Sequence, residues 1–156
     1  MAVTCFALLA LAVFAGLAGT APTAEAVIAR ADVENTLDRQ MGREINRVRA
    51  AHGRRRLGRS QRLHRASRRY AGWLASQHRF VHAAPLLPEG FSGAGEVLER
   101  HYDGQPRVPE TVQLWMRSPS HRKVLLNPKY RVAGASLSRD PRGERPSVWV
   151  LRLGYR

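Results

Sequence analysis

The chain has 156 residues, enough for one domain with an ordinary hydrophobic core. It carries 26 lysine and arginine residues against 12 acidic residues, a formal net charge of +14, and arginine supplies nearly all of the positive charge. The only cysteine, Cys5, lies at the start of an apolar run, so a fold that depends on disulfides is excluded.

The first 26 residues have the pattern of a secretory signal peptide. Residues 5–19 are apolar or small and too few to span a bilayer comfortably, and Ala24-Glu25-Ala26 has the A-x-A pattern of a cleavage site. The alternative is a segment that is retained as a membrane anchor. We therefore expect a secreted, extracellular protein that can associate with the cell envelope. Its mature chain should be a monomer without a transmembrane span.

Positive charge and export together restrict the class of partner. Clustered cations bind nucleic acids by releasing counterions, but a secretory signal takes the protein away from nucleic acid. An anionic cell-envelope polymer, lipid headgroups or acidic glycans fit an exported cationic protein better. A solvated basic surface without a dedicated partner is the alternative.

After a connector from residue 27, the first helix is expected from residue 32 to residue 52, so residues 27–37 hold the connector and the start of the helix, and the main domain covers residues 38–156. Four apolar residues recur at helical spacing: Leu37, Met41, Ile45 and Val48. Gly53 ends this helix, and Leu57 is predicted to point inward from the basic loop that follows. Ser60 is predicted to cap a second helix that ends near Gln77.

Two histidines follow the second helix, and the chain then leaves regular structure. His78 and His82 are spaced i, i+4 and could share a metal only if the helix continued through both. The prolines within residues 83–95 indicate a loop instead, so we do not expect both histidines to be ligands. The loop leads to Glu96, a carboxylate between a glycine and two apolar residues.

Residues 115–128, W-M-R-S-P-S-H-R-K-V-L-L-N-P, contain the most specific pattern in the chain. A third helix is predicted over residues 108–116, and Ser118 followed by Pro119 predicts the start of another, with the serine hydroxyl as its cap. His121 then lies in the first turn. There the partial positive charge of the helix end disfavours imidazolium, so His121 should be neutral near pH 7.

The end of the chain predicts two antiparallel strands. Residues 130–138 and 147–155 alternate apolar and polar side chains, and residues 140–143 read D-P-R-G, the composition of a turn. Helices first and a hairpin last indicate an α+β fold.

Taken in order, these motifs resemble the CAP superfamily, whose SCP domain is shared by cysteine-rich secretory proteins, antigen 5 and plant pathogenesis-related proteins. The matching residues are Asn46-x-x-Arg49-x-x-x-Gly53, Phe80-x-His82, Gly95-Glu96, Trp115-x-x-Ser118-Pro119-x-His121-Arg122 and the last strand around Trp149. The resemblance covers about residues 38–155 and is to the disulfide-free bacterial secreted branch. It implies an α-β-α sandwich, with a central antiparallel sheet flanked by helices, and an open cleft.

The resemblance also implies which residues form the cleft. His82, Glu96 and His121 match the cleft residues of the family, and Trp115, Ser118, Pro119 and Arg122 match the motif that supports them. The chain departs from the family where Val97 replaces the usual asparagine. It also lacks the second glutamate of many eukaryotic members, so a set of three is expected.

Two imidazoles and a carboxylate are compatible with several functions. His82, His121 and Glu96 would suit an open site for a divalent metal such as zinc, or an acid–base pair. They could instead only fasten the 83–95 loop to the body through hydrogen bonds. The mature chain shows no recognisable nucleophile, and the family has no agreed catalytic activity, so an enzyme is the less favoured interpretation.

The leading hypothesis is a secreted, non-enzymatic CAP-domain protein that binds a lipid or an anionic cell-envelope ligand through this cleft and requires no cofactor. The first alternative is a metal-dependent hydrolase of peptide or cell-wall substrates. The second is a basic protein that binds polyanions and has a vestigial cleft.

Overall fold

The computed structural model describes residues 23–102, 107–139 and 146–156. The predicted signal peptide up to residue 22 and the predicted turn at residues 140–143 therefore lie outside the described residues. In the part that is described, no helix is both long enough and apolar enough to cross a membrane.

The structure contains four helices and four strands within the described residues. The helices are α1 (Ala24–Ala51), α2 (Gln61–Ser76), α3 (Val108–Arg117) and α4 (Pro119–Leu125). The strands are β1 (Gly58–Arg59), β2 (Gly93–His101), β3 (Val132–Ser138) and β4 (Ser147–Tyr155).

The strands form one sheet in the order β1-β3-β4-β2. β4 pairs antiparallel with β2 and with β3, and the two-residue β1 extends the β3 edge in the parallel direction. Helices cover both faces. The larger core lies between the sheet and the helices α1, α3 and α4, and the smaller core lies under α2. The fold is the α+β sandwich with a central antiparallel sheet that the sequence predicted.

Periodicity located the helices well, with one difference at the start. Ser60 caps α2 as expected, because its hydroxyl accepts a hydrogen bond from the N–H of Leu63 at 3.3 Å. The region predicted as a connector from residue 27 is helical, since α1 begins at Ala24 behind a Thr23 cap. The alanines there form helix readily, although residues 24–29 remain exposed.

The sequence analysis did not predict two strands, and one of them holds a site residue. β1 has only two residues, too few to show alternation. β2 includes the end of the predicted 83–95 loop and places Glu96 in the sheet. Its middle residues are buried on both faces, so apolar and polar positions do not alternate.

The N-x-x-R motif of α1 fixes the chain around it. Asn46 donates to the carbonyl of Leu57 at 3.0 Å and accepts from its N–H at 2.8 Å, which turns Leu57 into the core. Arg49 is fully buried, and its guanidinium donates to the carbonyls of Leu125 and Asn127 at 2.5 and 3.2 Å. Arg49 therefore joins the end of α1 to the end of α4, the helix that carries His121.

Candidate functional site

The three cleft residues come from three different segments at the β2 edge of the sheet. His82 lies in the loop after α2, Glu96 lies on β2, and His121 lies on α4. Glu96 contacts His82, and the His82 and His121 rings lie 6.4 Å apart, edge to face. The structure thus brings together the three residues that the resemblance predicted for the cleft.

Glu96 is completely buried and both of its carboxylate oxygens are occupied. Oε1 accepts hydrogen bonds from His82 Nδ1 and from the N–H of Ala83, each at 3.0 Å. Oε2 accepts from Arg152 Nε at 2.9 Å across the β2–β4 register. Glu96 therefore fastens the start of the loop to the sheet, and its negative charge is balanced by a buried arginine.

The Arg152 guanidinium has a second role in ordering the loop. It lies 5.0 Å from the ring centroid of Tyr70, whose hydroxyl donates to the carbonyl of Val81 at 2.7 Å. Tyr70 on α2 and Glu96 on β2 therefore hold the residues on either side of His82. This arrangement gives His82 a defined position although its side chain is 56% exposed.

The contact with Glu96 determines which nitrogen of His82 is free. A carboxylate only accepts hydrogen bonds, so Nδ1 carries a proton, and whenever the ring is neutral the lone pair is on Nε2. A carboxylate behind a histidine in this way is the usual arrangement for a histidine that binds a metal or a proton through its other nitrogen.

His121 is half-buried and its pKa lies below the usual value for histidine. Burial is the largest cause, the nearby His82 lowers the pKa further, and the carboxylate of Glu99 opposes both. The lowered pKa agrees with the expectation of a neutral ring near pH 7. The principal cause is loss of hydration and not the helix end on which the expectation relied.

The start of α4 differs in detail from the prediction. Ser118 is the boundary residue of both α3 and α4, but its side chain makes no capping hydrogen bond. Its hydroxyl instead lies 3.1 Å from that of Ser120. Pro119 opens the helix as predicted, and His121 lies in the first turn.

The supporting motif residues have distinct places. Trp115 is fully buried, and its indole N–H donates to the carbonyl of Leu98 at 2.8 Å, which holds α3 against β2. Arg122 is exposed beside His121. His78 does not join the site, because α2 ends at Ser76 and the backbone of His78 has a positive φ of 53°.

Sequence reasoning missed Glu99 as a neighbour of the cleft. It lies on β2, three residues after Glu96 and so on the opposite face, and its charge acts on His121. Recognising Glu99 required knowing that residues 93–101 form a strand.

The geometry provides two imidazoles for a ligand and not a complete metal site. The described residues contain no group of three or more histidine, cysteine, aspartate or glutamate side chains placed to hold a metal ion. His82 and His121 would supply two ligands, and Glu96 would orient His82 from behind. Catalytic zinc sites use three protein ligands, so a third would have to move into place.

Comparisons with known proteins agree on the family and the fold. The sequence model of the CAP family, the cysteine-rich secretory protein family, matches residues 43–153. No curated protein matches the sequence.

Three solved structures of bacterial proteins share the fold. An outer surface protein from Borrelia burgdorferi is 19% identical, with a TM-score of 0.68 over 78% of this chain and 93% of that chain. An extracellular protein from Bacillus anthracis that contains an SCP domain is 19% identical, with a TM-score of 0.68 over 88% of this chain and 45% of that chain. A cysteine-rich secretory protein from Staphylococcus aureus is 18% identical, with a TM-score of 0.53 over 79% of this chain and 39% of that chain.

Proposed function

The chain belongs to the CAP (cysteine-rich secretory protein) family, and on that premise we propose that it is a secreted, non-enzymatic binding scaffold. Its cleft around His82, Glu96 and His121 takes a lipid or an anionic ligand of the cell envelope. The structural neighbours from Borrelia burgdorferi and Bacillus anthracis are described as outer surface and extracellular proteins, and this supports placing the protein outside the cell.

One observation carries the preference for binding over catalysis: both oxygens of Glu96 are already hydrogen-bonded, and one of them pairs with Arg152. Neither oxygen of this carboxylate is free to take a proton from a substrate, and the sequence shows no recognisable nucleophile that the Glu96–His82 pair could activate. The remaining groups, His82 Nε2 and the neutral ring of His121, offer hydrogen bonds to a ligand that stays intact.

The arginine-rich composition of the segment that leads to His82 favours an anionic group on that ligand. Residues 45–88, which lead up to and include His82, contain eleven arginines and no acidic residue. Arg100 on β2 holds its guanidinium 4.4 Å from the ring centroid of Phe80, which is 41% exposed and precedes His82 by two residues in the sequence. An exposed aromatic beside cationic groups suits an amphiphile with a negative headgroup.

The test is binding to vesicles of anionic phospholipid, compared with vesicles of a zwitterionic phospholipid. We expect the purified protein to bind the anionic vesicles more tightly, and the double variant His82→Ala/His121→Ala to lose at least about tenfold in affinity, which corresponds to about 1.4 kcal/mol. His78→Ala is the matched control, since His78 is exposed and lies outside the cleft. Equal affinity of the wild type and the double variant for the anionic vesicles would show that the cleft is not the binding site.

The hydrolase alternative is distinguished by zinc. It requires divalent-metal binding that is lost in His121→Ala, together with metal-dependent turnover of a peptide or cell-wall substrate. Zinc titration calorimetry on the wild type and the variant measures the first requirement directly. Stoichiometric zinc binding together with metal-dependent turnover would contradict our proposal and show that the protein is a hydrolase.

The polyanion alternative is favoured by a specific surface on α2. Two neighbouring grooves of about 680 and 370 Å³ share Arg62 and Arg65 as lining residues, and Arg69 lines the smaller one. Within the described residues, no carboxylate lies within ion-pair distance of Arg65 or Arg69. Vesicle or polymer binding that is lost in Arg65→Gln/Arg69→Gln, unchanged in His82→Ala and steeply salt-dependent would assign the function to α2 instead of the cleft.

A further inference from the structure

A second cavity lies at the opposite edge of the sheet from the histidine cleft, between α1, the β1–β3 edge and the start of α2. Its volume is about 280 Å³, and because a water molecule takes roughly 30 Å³ in the liquid, a small organic molecule would fit. Much of its wall is apolar, and the apolar side chains are Ile45, Leu57, Ala133, Ala135 and Leu151.

Asp38 is an acidic residue in this wall, and one of its carboxylate oxygens has no hydrogen-bond partner among the described residues. The residue is 8% exposed, and its Oδ1 is buried without a hydrogen-bond partner among the described residues. Its Oδ2 lies 3.5 Å from Nδ1 of His64, but that nitrogen donates its proton to the carbonyl of Ala135 at 2.8 Å. A buried polar atom without a partner costs about 1–3 kcal/mol, and a ligand that donates a hydrogen bond would remove this cost.

The surroundings of Asp38 make both of its protonation states accessible near neutral pH. Burial raises the pKa of Asp38 to about 7, the charge of Glu34 also raises it, and the Leu137 N–H and the charges of Arg59 and Arg68 lower it. The carboxyl group can therefore become a charged acceptor when a cationic donor enters.

Gly42 keeps the cavity open at a cost to the helix. It lies in the interior of α1 and lines the cavity, and a Cβ added there would meet no atom within 4 Å. A helix-interior glycine is less stable than alanine by about 1 kcal/mol, and no packing contact here requires it. The space beside Gly42 is therefore room that the protein leaves unfilled.

The exposed lining residues carry the opposite charge from Asp38. Arg39, Arg43 and Arg59 line the cavity and their side chains reach solvent. Arginine binds carboxylates through paired N–H groups, so this side of the cavity suits an anion. A ligand for the whole cavity thus needs a hydrogen-bond donor, an anionic group and an apolar part.

We propose that this cavity binds a small apolar α-amino acid, with the ammonium on Asp38, the carboxylate on the arginines and the side chain against the apolar wall. The site is separate from the histidine cleft and does not depend on the function proposed for it. Each of the three ligand groups has its own counterpart in the cavity, and the amino acid combines them in a molecule of suitable size.

Calorimetric titration of the purified protein with L-leucine tests the proposal. We expect one-to-one binding, and binding at least about tenfold weaker for 3-methylbutylamine, which lacks the carboxylate, and for 4-methylpentanoic acid, which lacks the ammonium. Failure of leucine, isoleucine, valine and phenylalanine to bind at about 10 mM would overturn the proposal. Equal binding of leucine and 4-methylpentanoic acid would also overturn it, because Asp38 would then have no part.

Two substitutions test whether leucine binds in this cavity. Gly42→Leu should fill the space and weaken leucine binding at least about tenfold, while Gly72→Leu on α2, where a Cβ also meets no atom within 4 Å, should change it less than about twofold. Asp38→Asn should weaken binding as much as Gly42→Leu does. Circular-dichroism melts of all three variants check that the fold is kept, and binding that survives Gly42→Leu would contradict the assignment.

Discussion

At the scale of one residue, Asp38 lowers the stability of the folded protein near neutral pH. The carboxyl has a pKa of about 7 in the folded protein, raised from 3.8, chiefly because burial disfavours the charge. The folded state therefore holds a proton that the unfolded state has released between about pH 4 and pH 7. Stability from this residue is complete below about pH 4 and declines as pH rises to about 7, by about 1.4 kcal/mol per unit of pKa shift.

Asp38→Asn should for this reason be more stable than the wild type at pH 8, by about 4 kcal/mol, and nearly equal to it at pH 4. Urea unfolding at pH 4, 6 and 8 measures the difference, and the other titrating groups are common to both proteins. Parallel pH profiles for the two proteins would show that Asp38 is charged without penalty. A residue that lowers stability and lines a cavity is typical of a binding site.

Glu96 is the second residue whose charge has a large effect on the free energy of unfolding. In Glu96→Gln, buried Arg152 loses its counter-charge and the Ala83 N–H exchanges a charged partner for a neutral one. We expect a loss of about 3–5 kcal/mol in the free energy of unfolding, the usual effect of removing one partner of a buried ion pair. Amide hydrogen exchange at Ala83 should accelerate more than exchange in β4. Equal acceleration everywhere would mean that Glu96 stabilises the sheet and not the loop.

At the scale of elements, the approach of α2 to β3 depends on a missing side chain. A Cβ at Gly134 would lie 2.1 Å from the backbone nitrogen of His64, and the Gly134 carbonyl accepts from the hydroxyl of Ser67 at 2.8 Å. Backbone atoms cannot shift as a flexible side chain can. The position of α2, and with it Tyr70 and His64, depends on this contact.

Gly134→Ala should accordingly destabilise the protein by more than about 2 kcal/mol, because the helix must move away from the strand. Gly72→Ala is the matched control: it lies in the interior of α2 where a Cβ meets no atom, so it should stabilise by about 0.5–1 kcal/mol. Thermal melts of the two variants measure both effects. A neutral Gly134→Ala would mean that α2 has freedom to move.

At the scale of the whole molecule, positive charge opposes folding. Residues 45–88 carry eleven arginines without an acidic residue, and all but Arg49 are exposed. Salt should therefore raise the melting temperature as it screens this repulsion between about 20 and 300 mM sodium chloride. Arg62→Gln/Arg65→Gln/Arg69→Gln should show a smaller rise. An unchanged or falling melting temperature for the wild type would indicate that ion pairs outweigh the repulsion.

The sequence predicted the elements that are rich in apolar residues. The helical periodicity of Leu37, Met41 and Ile45 and the alternation in the last two strands located α1, β3 and β4. β2 was missed because its sequence, G-A-G-E-V-L-E-R-H, is mostly glycine and charged residues, and the position of Glu99 relative to His121 was missed with it. The three cleft residues came from family motifs, whereas their hydrogen bonds to Ala83, Arg152 and Tyr70 depend on tertiary packing that no local pattern reports.

The strand order has a consequence for how the chain folds. Among the described strands, β4 comes latest in the chain, and it is the partner of both β2 and β3. Until residues 147–155 are present, β2 has no partner strand among the described residues, and the contacts that assemble the sheet join distant parts of the chain. Such long-range pairing makes folding slow in comparison with helical bundles. A chain made only as far as residue 146 thus holds β2 and β3 without the strand that joins them, and their backbone groups on those edges remain free to bond to water.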